Sequence, residues 1–259
     1  MGWSRSDSPV KKRLVITDLT RMHEGRVCVA GYDENGVCVR PVLPPPGTCE
    51  STLYCGGQPI VFPFAVVEYD LLKPFPHPPH TEDRLYDPRS VRFCRQLDPN
   101  ERRRLLVGML FPGAGNMFEA PIVSDQGFYV LSGQGVRSLG TIQPRRIIRV
   151  VHDLGPEGQW KYRLHFVDRQ GSLYWLTVTD LTWRYYIDYQ RGHGKRPGQV
   201  CSELLAALWR CEVFLRIGLT RGWEKHPDRC YLQVTAVHTF PDYLKGLTFA
   251  DFAPSGKAR

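Results

Sequence analysis

The sequence predicts a mostly β protein built as two five-stranded Greek-key barrels, each with a helix between its third and fourth strands. Three observations lead there. Short runs of β-branched and aromatic residues, bounded by Gly, Pro, Asn and Asp, recur along the chain as strands and tight turns do. Only two stretches carry convincing helical start signals. In the second half the elements follow the order three strands, one helix, two strands.

In the first half, RLVITD (13–18), RVCVAGY (26–32) and VCVRPV (37–42) read as strands. The last two flank a hairpin turn, GYDENG; an even-numbered loop would point Cys28 and Cys38 to opposite faces, so no disulfide is expected across it. The eight scattered cysteines read as small buried hydrophobes. IVFPFAVVEYDLL (60–72) is a long apolar run in which Pro63 marks a bend or an edge. The proline-rich LKPFPHPPHTEDR after it cannot sustain a helix or a central strand. DPNERRRLLVGML (98–110) is a helix: Asp98 caps it, Pro99 suits the first helical position, and Glu101 completes a capping box. FEAPIV (118–123) and GVRSLGTIQP (135–144) then close the first unit.

In the second half, strands at 145–153, 160–168 and 173–180 precede a Gly-rich basic loop. A helix at 199–210 and strands at 212–220 and 230–240 complete the set. This is the element order of the OB-fold barrel. The expected domains are 12–144, an OB-like barrel with insertions, and 145–252, a second OB-like barrel, with disordered tails at 1–11 and 253–259. The absence of a flexible connector near 145 predicts that the two dock on each other. TDLT occurs at 17–20 and 179–182, but the two copies do not align by element.

The chain carries 34 Lys and Arg against 26 Asp and Glu, a formal charge of +8, which favours polyanionic partners. No apolar run reaches the length of a membrane span, and MGWSRSDSPVKKR lacks the apolar middle of a secretory signal, so a cytoplasmic protein with no membrane partner is expected. P-loop, G-x-S-x-G, H-E-x-x-H and paired C-x-x-C motifs are absent from the sequence, and no cofactor is expected. Cys49, Cys55, His77 and His80 could be drawn as a zinc set, but their spacing matches no strong pattern.

Several stretches taken together, VITDLTRMHEGRVCVAGYDENGVCVRPV, PPHTED, SLGTIQP, FLRIGLTRGW and TFPDYL, resemble a family of bacterial proteins described as dual OB-domain-containing. The resemblance spans residues 12–252. It implies two OB-like barrels and, by analogy, nucleic-acid binding, and it brings no catalytic residues with it.

An OB barrel binds on the face of its second and third strands, between the loops joining strands one to two and four to five. In the second barrel the latter loop is RGWEKHPDR. There Arg221, Lys225 and Arg229 supply charge for phosphates, and Trp223 supplies a ring on which a base stacks for about 1–3 kcal/mol. In WKYRLHFVD, Lys161, Arg163 and His165 alternate with Tyr162, Leu164 and Phe166, giving a polar and an apolar face. Tyr174 or Trp175 joins the polar face, depending on register. TWRYYIDYQRGHGKRPG interleaves Arg184, Tyr185, Lys195 and Arg196 as a strand-binding loop. Arg21 and Arg40 flank the first hairpin, whereas Arg102–Arg104 fan around a helix as a solvated face.

The expected function is therefore binding of single-stranded DNA or RNA by a basic groove with aromatic stacking. A second class is a protein-interaction or scaffold module of a nucleic-acid-processing or defence assembly, with Trp223 as its anchor. A third is a hydrolase or metal-dependent enzyme using His80, Glu82 and Asp83 as acid–base or metal-ligating groups.

Overall fold

A computed structural model of the protein describes residues 8–254; the tails expected at 1–11 and 253–259 lie partly outside them, and regular structure already begins at Val10. The first barrel opens with β1 (Val10–Arg21), a strand long enough to serve two partners. Its later part, from Val15, pairs with β2 (Val27–Tyr32), which pairs in turn with β3 (Cys38–Val42). After a small hairpin of β4 (Tyr54–Cys55) and β5 (Gln58–Pro59) comes β6 (Ala65–Pro74), paired to the first half of β1. β7 (Asp83–Tyr86) runs parallel to β3 and antiparallel to β6, closing a five-stranded barrel in the order β1-β2-β3-β7-β6. β8 (Arg92–Gln96) adds an outer strand to β6.

No α-helix lies between the third and fourth strands of this barrel, contrary to expectation. Residues 43–64 hold three consecutive prolines, Gly47, Gly56 and Gly57, and yield only a short 3-10 turn at Glu50–Leu53 and the β4–β5 hairpin. The predicted helix forms as α1 (Pro99–Gly108), with Asp98 accepting from the Asn100 and Glu101 N–H groups, but it follows the barrel instead of interrupting it.

The strands expected to close the first barrel also go elsewhere. β9 (Leu110–Phe111), β10 (Val123–Ser124), β11 (Phe128–Leu131) and β12 (Leu139–Ile142) all join the second sheet. β12 pairs with β16 (Glu212–Leu219), while β13 (Arg146–Leu154) pairs with β14 (Trp160–Val167). Together β12 and β13 do what β1 does alone, with the strand broken at Pro144. β15 (Leu173–Val178) lies beside β14 and parallel to β17 (Arg229–Phe240), which pairs with β16.

Two helices fill the crossover between strands three and four of the second barrel: α2 (Leu181–Gly192) and α3 (Pro197–Leu208). α2 takes the place of most of the basic loop that the glycines suggested. The Asp180 carboxylate caps it, accepting from the Thr182 and Trp183 N–H groups at 2.8 and 3.2 Å. Its side chains divide between two cores. Leu181 and Tyr185, four residues apart, pack into the first barrel, and Trp183 and Ile187 pack into the second. α2 is thus a wedge between the barrels, and α4 (Phe249–Phe252) returns the chain to the first core through Phe249 and Phe252. Among the described residues no helix is long and apolar enough to cross a membrane. The eight cysteines are free thiols, and Cys49, Cys55 and Cys94 are exposed instead of buried.

The barrels are joined by a buried polar network. A bulge in β1 lets Ile16 and Leu19 both face the core while Asp18 faces out. Opposite it, Gly31 has no room for a side chain, because a Cβ would lie 2.2 Å from the Val15 carbonyl oxygen. Arg216 of β16 is fully buried; its Nε donates to Asp18 at 2.8 Å, and its Nη1 donates to the Tyr32 hydroxyl and to Thr141 at 3.0 Å. Thr17 and Thr235 hydroxyls donate to the same Asp18 carboxylate. His238 donates its Nε2 proton to the Thr17 carbonyl at 2.9 Å, and the Tyr185 hydroxyl donates to Glu50. The two TDLT stretches meet here as well, with Thr20 bridging Asp180 and the Arg21 N–H donating to the Thr179 carbonyl.

Removing one partner of the central pair strands the other charge. Arg216→Ala is expected to lower the unfolding free energy by roughly 3–5 kcal/mol, while Asp18→Leu combined with Arg216→Met stays far closer to wild type. Denaturant unfolding of the three proteins checks this, and equal losses in the single and double variants would place the coupling elsewhere. Burial depresses the His238 pKa to about 4, so the folded ring is neutral where an unfolded one binds a proton. Its contribution to stability is present in full above the ordinary value of about 6.5 and is lost as pH falls toward the folded value. In an NMR titration the His238 ring should still be neutral at a pH of about 5.5, and a midpoint near 6.5 would mean that the interface is open.

Candidate nucleic-acid interface

The outer face of strands two and three has opposite fates in the two barrels. In the first, the outward residues Ala30, Tyr32 and Arg40 are buried, because the second barrel sits on them. In the second, the same face is uncovered. Tyr162, Leu164 and Phe166 of β14 and Tyr174 and Leu176 of β15 point into the core, which leaves Arg163, His165 and Trp175 outside. The register, which the sequence left open, therefore selects Trp175 over Tyr174.

Pairing places these groups in rows. Arg149 of β13 is opposite His165, and His165 is opposite Trp175; one row on, Val151, Arg163 and Thr177 are aligned. Neighbouring strands stand about 4.8 Å apart, so a cation, an imidazole and an indole follow one another across the sheet. Burial first, and then the charges of Arg149 and Arg163, lower the His165 pKa and keep the ring neutral at pH 7. Trp175 is 43% exposed and meets the Phe128 ring of β11 in a T-shaped contact at a centroid separation of 4.7 Å.

The loop between strands four and five adds a second aromatic series. Its tip closes as a tight turn in which the His226 N–H donates to the Trp223 carbonyl at 2.8 Å and the Trp223 N–H donates back at 3.3 Å. Gly222 is required just before it, since a Cβ there would lie 2.1 Å from the Pro227 carbonyl oxygen. Trp223 is 49% exposed and contacts His226; His226 contacts Tyr231, and Tyr231 contacts Tyr129, at centroid separations of 5.6, 6.2 and 5.5 Å. Lys225 lies 5.8 Å from the Trp223 ring, and the Arg229 guanidinium lies 4.6 Å over Tyr129. Arg229 also contacts Asp125 at 3.4 Å, and Arg221 is paired with Asp83.

Of the residues singled out from sequence, Arg163, Trp223 and Lys225 are exposed, and half-buried Lys161 lies on the β14 face. Arg196 is exposed on the crossover at the start of α3, and Lys195 is paired with Glu203 at 2.6 Å. Four others are structural. Arg40 is buried against Asp83, and Tyr185 is buried under the Arg21 guanidinium, which itself pairs with Asp188 at 3.2 Å. Arg184 lies 5.0 Å over Tyr162 and donates to the Val178 carbonyl, its pKa lowered to about 10 by burial. Each has the chemistry of a ligand contact, but partners within the protein already occupy it. Arg149 and Tyr231 were missed; the exposed alternation in RRIIRVV and CYLQV was the available signal.

His80, Glu82 and Asp83 are also structural. Glu82 accepts from the Ser138 N–H at 2.5 Å, the Ser138 hydroxyl at 3.0 Å and the Leu139 N–H at 3.1 Å, pinning β12 to the first barrel. Asp83 is fully buried between Arg40 and Arg221. His80 is buried in the first barrel's version of the same turn, paired with His77, and its pKa is pushed down to about 3, by burial first and then by Arg40 and Arg221. Among the described residues no group of three or more His, Cys, Asp or Glu side chains is arranged to hold a metal ion.

Comparison with known proteins agrees with this architecture. Residues 12–237 match a family model described as a dual OB-containing domain. No curated protein and no solved structure matches the chain.

Proposed function

This chain belongs to the dual OB-containing domain family, and from that premise we propose that it binds single-stranded nucleic acid on the open face of its second barrel. OB folds as a class bind nucleic acids or proteins. The observation that favours nucleic acid is the uncovered row Arg149–His165–Trp175, with Arg163 beside it and Trp223 and Lys225 at its flanking loop. Unpaired bases stack on Trp175 and Trp223, while phosphates follow Arg149, Arg163 and Lys161. A duplex hides the ring faces on which such a surface depends, so single strands are the preferred form. Every base has a face to stack, so sequence preference is modest. The first barrel serves as the platform, because its own strand two–three face is buried under the second.

Fluorescence anisotropy with labelled oligothymidylate, oligouridylate and duplex tests the proposal. Trp175→Ala is expected to weaken single-strand binding by about tenfold, in line with the roughly 1–3 kcal/mol of one stacked base. Arg163→Glu should weaken it and also flatten the salt dependence by about 0.7 in the log–log slope for a lost phosphate contact. Wild-type binding that both variants leave intact would remove the β13–β15 face as the site. No binding at low salt would turn the same face over to a protein partner.

A further inference from the structure

The break in the first strand of the second barrel leaves a groove. β12 pairs with β16 only as far as Ile142 opposite Leu215, and β13 pairs only with β14, so the seam between β13 and the start of β16 is unzipped. A cavity of about 360 Å³ lies there, bordered by Pro144, Arg145, Arg146, Trp209 and Glu212. That volume falls within the roughly 300–1,000 Å³ of small-molecule sites.

Trp209 is the notable wall. It is 59% exposed, yet its Nε1 proton is donated to the Ile147 carbonyl at 2.9 Å, which fixes the indole at the lip of the groove. The electrostatics around it are one-sided. Arg145, Arg146, Arg149 and Arg210 are all exposed, and none has an acidic partner among the described residues. The acid in the groove, Glu212, is neutralised by a bidentate contact from Arg103 at 2.6 and 3.0 Å, and it also accepts from the Gln143 side-chain amide at 3.1 Å. A rigid exposed ring beside uncompensated guanidinium groups suits a flat heterocycle that carries a phosphate.

We infer that the seam groove is a nucleotide subsite, with a base stacked on Trp209 and its phosphate held by Arg145 and Arg146. Two sources supply that chemistry. One is the continuation of the strand bound on the β13–β15 face, since Arg146 and Arg149 belong to the same β-strand; this case rests on the function proposed above. The other is a free mononucleotide. The groove lies on the opposite edge of β13 from the β14–β15 face, so a strand using both sites needs a longer footprint than the face alone.

The test uses the full chain with labelled oligothymidylates of about four and about twelve nucleotides, within the site sizes of such barrels, and thymidine monophosphate as the free nucleotide. Trp209→Ala and the double change Arg145→Glu with Arg146→Glu should each raise the Kd of the longer strand by about tenfold and leave the shorter within about twofold. Trp209→Phe, which keeps a ring, should retain most of the affinity; the two arginines are on the surface, so that variant keeps the test valid if Trp209→Ala fails to fold. If no oligonucleotide binds the wild type, the strand reading of the open face fails. Calorimetric binding of thymidine monophosphate that Trp209→Ala abolishes would then assign the groove to a free nucleotide. Variants that affect neither ligand, or that weaken both oligonucleotides equally, overturn the inference.

Discussion

The structure depends on one buried charge. An arginine cannot shed its proton to enter a protein interior, so the fully buried Arg216 must be matched wherever it goes. Its match, Asp18, stands on a bulge of the other barrel's first strand, with Tyr32, Thr141, Thr17 and Thr235 satisfying what remains. Pairs of this kind contribute more to geometry than to net stability, and here the geometry is the orientation of one barrel on the other. Once Arg216 is seated on Asp18, the outer face of β2 and β3 becomes interior, with Ala30, Tyr32 and Arg40 closed to solvent.

The two barrels consequently differ in which surfaces they leave open. Both build the same tight turn between strands four and five, with His77 bridging His80 in one and Trp223 bridging His226 in the other. In the first barrel the turn is drawn into the junction, where His80 is buried beside Arg40 and Arg221. In the second it projects to solvent and presents Trp223. α2 stabilises this arrangement by feeding one side of its apolar surface into each core, so neither barrel can move without exposing Leu181 and Tyr185 or Trp183 and Ile187. Many of the basic residues are paired inside this architecture, while Arg145, Arg146, Arg149 and Arg210, at β13 and the seam, are exposed.

Local chemistry was legible in the sequence where local forces decide. The hairpin at 26–42, the Asp98 cap, the alternation of WKYRLHFVD and the order of strands in the second half all follow from side-chain period and turn residues, and they sufficed for two OB barrels. The same local logic misplaced α1, read α2 as a loop because of its flanking glycines, and assigned 135–144 to the wrong barrel. Strand pairing across long separations carries no local mark, and β12 has no signal naming β16 as its neighbour.

The composition and pattern of the chain determined that it forms two β-barrels, with Arg163, Trp223 and Lys225 exposed on or beside the strand two–three face of the second. Only the tertiary structure decided which face remains a face. Arg40 and Tyr185 have the same chemistry as Arg163 and Trp175, yet the first two are buried by docking and the latter two are not. Residue type states what a side chain can bind; whether solvent or another barrel reaches it first is settled by the burial of Arg216 against Asp18, two residues almost two hundred positions apart in the chain.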